Sequence, residues 1–193
     1  MAEDITNVVL MRDALVLVLQ SENRRKRQDA SRELAAMSRE NRGVVADIAD
    51  VLIAALGCPE GRTRCECLEA LSEIALEYPE RIGEAFAGAE EALFDEGSTS
   101  VRLAAFKFLC RFGSLDAESS REAWPLICEA VQCYHGDPEY RDMLIRLREF
   151  AQGKIAPEVG DALAERMSFD AKTGKGFVRA YSKEICSVLE GTR

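Results

Sequence analysis

Few residues in this chain are of a kind that does covalent chemistry, and their spacing argues against it. His135 is the only histidine, so no two imidazoles can share a metal and no second histidine can serve as a base. Cys128 and Cys133 precede it and would bring it to three zinc donors, but no fourth ligand follows at a familiar spacing. Cys65-Glu66-Cys67 is not a CxxC pair, and thiols two residues apart on a helix point to different faces. The segment KTGKG at 172–176 resembles a phosphate loop superficially. It lacks the first glycine at the Walker spacing, and Gly176 stands where Ser or Thr would hold magnesium. No metal, cofactor or catalytic residue is expected.

Arginine is the side chain that recurs with a pattern. Arg24-Arg25-Lys26-Arg27 is the densest basic run, yet four successive helical residues fan over about 300° and cannot converge on one ligand. Arg24 and Arg25 are left to solvent or a partner. Arg27 has counterparts at Arg64, Arg102 and Arg179, at intervals near 38 residues. That recurrence points to the elements that carry the arginines.

Five segments align: RQDASRELAAM (27–37), RCECLEALSEI (64–74), RLAAFKFLCRF (102–112), YRDMLIRLREF (140–150) and RAYSKEICSVL (179–189). Offset +3 holds Ala30, Cys67, Ala105, Met143 and Ser182. Offset +7 holds Leu34, Leu71, Leu109, Leu147 and Cys186, and offset +10 holds Met37, Ile74, Phe112, Phe150 and Leu189. These offsets share one face of a 3.6-residue helix, so each segment is expected to be amphipathic with the same buried stripe. A second apolar run precedes each, over 5–20, 43–57, 82–95, 119–134 and 156–168. Helix pairs at this period cannot bury their faces alone and stack on one another. The loop 168–176 is expected to separate the last pair, and Asp137-Pro138 to start the second helix of the fourth.

The pattern resembles the HEAT/armadillo superfamily, through Leu19…Arg27…Leu34, Leu56…Arg64…Leu71 and the pairs Val101-Arg102 and Val178-Arg179. Repeat four departs from it, with Tyr140 at the arginine position. The resemblance implies an all-α, right-handed α-solenoid of about five stacked antiparallel helix pairs, forming a single domain over 1–193. The repeats fall at 1–42, 43–80, 81–113, 114–154 and 155–193. It further implies that Arg27, Arg64, Arg102 and Arg179 border the core and reach carboxylates of adjacent repeats, and that second helices line a concave face.

Charge refines this. The formal net charge is −9, against a surface that coats nucleic acid or anionic membrane. First-helix segments carry 4 basic and 17 acidic residues, and the remainder 21 and 17. An acidic back and a mildly basic inner face follow. Offset +5 on that face reads Arg32, Glu69, Lys107, Ile145 and Glu184, with Arg39, Arg111, Arg141 and Arg148 nearby. Alternating sign suits a protein or peptide better than a phosphate backbone. In the first helix, Val9 and Val16 fall between Arg12 and Asp13 while apolar residues fill the rest. That surplus marks a homodimer contact or partner patch.

The sequence thus predicts a non-catalytic protein- or peptide-binding scaffold. The alternatives are nucleic-acid binding or DNA repair, as in HEAT-like alkylpurine DNA glycosylases, and then a HEAT-like enzyme or lyase. A cytoplasmic setting is expected, because residues 1–7 lack a basic signal-peptide region, no run spans a bilayer, and seven cysteines sit mostly in apolar helical patterns.

Overall fold

A computed structural model describes residues 2–191, which form helices and turns, with no strand among the described residues. The chain divides into two compact units, one reaching Phe108 and the other starting at Leu109. The division falls inside a helix rather than at any of the expected repeat joints.

The first unit begins with α1 (Ala2–Leu19) and α2 (Arg24–Glu40). Asn23 caps α2 by accepting from the Lys26 amide at 3.1 Å. The first helix of repeat two, expected to be continuous over 43–57, is broken. It consists of α3 (Arg42–Ala46), α4 (Ala49–Ala54) and a 3-10 turn, Ala55–Gly57. Only Asn41 separates α2 from α3, so the chain reverses without a loop. Asp47 and Ile48 then redirect it, with the Ile48 amide bonding back to the Val45 carbonyl at 3.1 Å. α5 (Gly61–Ile74) follows and packs on α2. Repeat three shortens in the same way: a 3-10 turn at Pro79–Arg81 precedes α6 (Ala85–Leu93), and α7 (Thr99–Gly113) closes the pattern.

The second unit has unbroken pairs. α8 (Ala117–Cys133) precedes α9 (Tyr140–Ala151), and α10 (Pro157–Thr173) precedes α11 (Gly176–Gly191). Asp116 caps α8 through the Ser119 amide at 2.9 Å, and that bond holds its carboxyl below the ordinary aspartate range. Two expectations are corrected here. α10 absorbs most of the segment read as a loop, because no breaker stands before Gly174 and Ala171 and Lys172 favour helix. Asp137-Pro138 does not start α9. It lies in a turn that Gly136 permits at φ 93°, and the Asp137 carbonyl accepts from the Tyr140 amide at 3.0 Å.

The buried stripe lies where the periodicity puts it. Every residue at +3, +7 and +10 is buried except Phe112 and Cys186, which are half-buried. No helix among the described residues is long and apolar enough to cross a membrane.

Candidate functional site

The arginines at offset zero lie beside the core but do not behave alike. Arg27 donates to Ser21 O at 2.8 Å and through Nε to Glu60 of the next repeat at 3.3 Å, with a second, shorter bond from Nη2 to the same carboxylate. Glu60 is buried. The bond from Arg27 outweighs its desolvation, so its carboxyl is held below the ordinary glutamate range and the guanidinium is raised. Arg64 reaches Asp95 one repeat on, at 2.7 Å, and Arg102 donates to the Asp95 carbonyl at 2.7 Å and to Thr99 Oγ1 at 3.0 Å. Arg179 is exposed and has no carboxylate partner among the described residues.

Of the residues placed on the inner face, the structure joins two pairs, Lys107 with Glu69 and Arg148 with Glu184. Lys107 is buried, its Nζ 2.6 Å from Glu69 and 3.0 Å from Glu73. Arg42 meets Glu77 at 2.6 Å and approaches Glu73 at 3.9 Å. Lys107 and Glu69 therefore satisfy one another before any ligand arrives. Arg32 shares Asp29 at 3.9 Å and Glu33 at 3.2 Å. Arg39 is exposed in the last turn of α2, and Arg25, Asp29, Arg32, Ala36 and Arg39 form its outward row. In the second unit Arg141 is exposed and Arg111 half-buried. Arg148 bonds Glu184 at 2.7 Å and lies 5.8 Å over the Tyr181 ring.

Helix α1 is turned in a way the sequence did not disclose. Arg12 points into the fold, its side chain 11% exposed, donating to the Val44 carbonyl at 3.0 Å and to Asp47 at 3.2 Å. Val9 and Val16, on that same side, are half-buried. The outward surface is instead Leu10, Met11 and Leu17, at 62%, 52% and 72% exposed. An ion pair with the next repeat holds Arg12 inward, while Asp13 and these apolar side chains face solvent.

The second unit holds one polar cluster that sequence reasoning set aside. His135 Nε2 lies 3.0 Å from Oδ2 of buried Asp170, and its ring tilts over that of Tyr140 at 4.8 Å. Tyr140 is fully buried, its hydroxyl has no hydrogen-bond partner among the described residues, and burial, with Asp170 nearby, pushes its pKa up to about 12. Asp170 went unnoticed because it fell in a segment read as loop. An aspartate that orients an imidazole is one part of a nucleophilic site, but among the described residues no hydroxyl or thiol hydrogen-bonds the ring. Burial also raises the thiols of Cys65, to about 11, and of Cys67 and Cys110, which makes these three poor nucleophiles. Among the described residues no three His, Cys, Asp or Glu side chains assemble to hold a metal ion.

The fold is an all-α solenoid of the HEAT/armadillo kind, and comparison with solved structures bears this out. A designed armadillo repeat protein in complex with the peptide (KR)4 superposes with a TM-score of 0.72 and 16% identity, over 91% of this chain and 80% of that one. Computationally designed armadillo repeat proteins for modular peptide recognition give 0.69 and 15%, over 90% and 80%. An engineered protein gives 0.61 and 17%, over 93% and 98%. At such identities the likeness is one of fold alone. No protein-family model matches the chain, and no curated protein matches it in sequence.

Proposed function

We propose that this chain is a non-catalytic scaffold that recognises a protein or peptide through the outward face of its second helices. The observation that carries the reading is the surface of α2 and α5 in the first unit. Arg25, Asp29, Arg32 and Arg39 stand in a row on α2, beside Glu66, Glu69 and Glu73 on α5 and Glu77 just past its end. Mixed charges on rigid, adjacent helices give orientation and specificity to an extended partner more than raw affinity. Two of the structural neighbours are a designed armadillo protein holding a Lys/Arg peptide and designs for modular peptide recognition, which supports a peptide as partner. The outward apolar stripe of α1 is proposed as a second contact, for a second copy or another protein.

The test places a photo-crosslinking amino acid in turn at Arg39, Glu66, Leu10 and, as a control, Glu90 on α6, and maps captured partners by mass spectrometry. Crosslinks concentrated at Arg39, Glu66 or Leu10 are expected. Crosslinks that avoid both α1 and the α2/α5 surface would refute the scaffold reading.

A further inference from the structure

Arg24, Arg25 and Arg32 of α2 surround one open depression with Arg62, which begins the next repeat's second helix, α5. The depression measures about 690 Å³, and Asp29 is its only acidic lining residue. Arg62 was not among the residues that sequence reasoning singled out, yet its place is systematic. Arg25 and Arg62 both stand two residues before the repeated arginine, Arg27 or Arg64, and 37 residues apart. Equivalent positions in stacked repeats lie side by side. The later repeats carry Ser100, Pro138 and Phe177 there, so the basic pair belongs to the first two repeats alone.

The positive charge here is only partly compensated from within. Neither α2 nor α5 has an acidic residue in its first turn, so arginines occupy the end of each helix where the macrodipole already favours an anion. Arg24, Arg25 and Arg62 form no ion pair among the described residues, and Arg32 is shared between Asp29 and Glu33. Glu60, at the N-cap of α5, is buried and engaged by Arg27. Folding has thus gathered like charges at a cost that an external anion would relieve.

We infer that this depression docks a short acidic peptide segment, whose Asp or Glu carboxylates are received by the guanidinium groups of Arg24, Arg25, Arg32 and Arg62. Planar guanidinium forks bind carboxylates bidentately, which a lysine cluster would not do. The surroundings favour a peptide over nucleic acid. Along α5 the basic end gives way to Glu66, Glu69 and Glu73, and Glu77 follows just past the helix. A continuous phosphate backbone would run onto those carboxylates, whereas a short acidic run needs only the depression. The inference rests on the scaffold reading and names the chemistry at one end of its surface.

The test is fluorescence anisotropy of the full chain with labelled polyglutamate, polylysine and single-stranded oligonucleotide probes. Polyglutamate is expected to bind at low ionic strength and to weaken as salt shortens the screening length from about 10 Å at 0.1 M to about 3 Å at 1 M. R24E/R25E should weaken it roughly tenfold or more, and R62E alone severalfold. R24K/R25K should recover only part, because charge returns without the fork. R81E, on the 3-10 turn at Pro79–Arg81 and outside the depression, should leave it unchanged. No polyglutamate binding by the wild type at low salt overturns the inference, as does binding indifferent to R62E. Tighter binding of the oligonucleotide at the same arginines overturns it too. Crosslinks at Arg39 or Glu66 together with any of these results would leave the scaffold reading standing and remove only this one.

Discussion

Both units pair charges between repeats, the second through Arg121–Glu158 and Arg148–Glu184, but they differ in what else joins the repeats. In the first, repeats are clamped by charge: Arg27 to Glu60, Arg64 to Asp95, Arg42 to Glu77, and Lys107 to Glu69 and Glu73. These partners stand 31 to 38 residues apart, close to one repeat. In the second, the most intimate joints are made by backbone and rings. The Lys154 amide donates to the Ser114 carbonyl at 2.9 Å, the Ala156 amide donates to Ser120 Oγ at 2.9 Å, and Trp124 stacks on Phe150 with ring centroids 6.3 Å apart. The first helices of repeats two and three are broken or shortened, whereas α1, α8 and α10 are whole. Charged clamps tolerate a varied surface and leave unpaired arginines beside them. Close backbone approach leaves less to vary at the second unit's joints.

The strongest way to break the comparison is at Lys107. Lys107→Met keeps most of the side-chain volume but removes the ammonium shared by Glu69 and Glu73, whose side chains are 26% and 13% exposed. Two carboxylates four residues apart on one helix face would then repel. The expected loss is about 2–4 kcal/mol, the scale of breaking a largely buried pair from one side, read as a lower urea midpoint. Adding Glu69→Gln should restore part of it. Hydrogen exchange should place the loosened amides in α5 and the start of α7. A Lys107→Met chain as stable as the wild type would mean that the clamp is ornamental.

Gly153 probes the other joint. A Cβ there would lie 2.7 Å from both Cα and the carbonyl oxygen of Ser114, and backbone cannot swing aside as a side-chain tip does. Gly153→Ala is expected to cost about 2 kcal/mol and to speed amide exchange around Ser114 and Lys154. Full tolerance would show that the second unit's joints are as adaptable as the first's.

The features that these two substitutions address were unequally legible. The period and the buried stripe could be read because Leu34, Leu71, Leu109 and Leu147 repeat one helical face, and burial depends on that face alone. The broken helix at 42–57 could not, since its apolar run has no internal proline and the bend at Asp47 is fixed by packing. Nor could the orientation of α1. A helical wheel gives the angle between Arg12 and its apolar neighbours but not which sector faces inward, and that was decided by Val44 and Asp47 from the next repeat. Arg62 was within reach, as the counterpart of Arg25 one repeat later. Reading each helix alone concealed it, because neither arginine makes a cluster until the repeats are stacked.

Acid sharpens the contrast with the smallest expected effect. Glu60 is held below the ordinary glutamate range by Arg27, so its folded carboxyl binds a proton less readily than the unfolded one. The stabilisation is fully present above the unfolded value, about 4.3, and is lost as pH falls through the lowered folded value. Glu158 in the second unit is also lowered, first by its own backbone amide and then by Arg121. Its pair with Arg121 is 59% exposed on the carboxylate side and so adds little to stability. Between pH 5 and 3, amides around Arg27 and Gly61 are therefore expected to lose protection in the wild type. In Glu60→Gln they should be less protected already at pH 5 and change little further. The reporters around Arg121 should respond equally in both proteins, because their carboxylate is untouched. Acid loss at Arg27 that persists undiminished in Glu60→Gln would assign the sensitivity elsewhere and dissolve the distinction between a buried clamp and a surface pair.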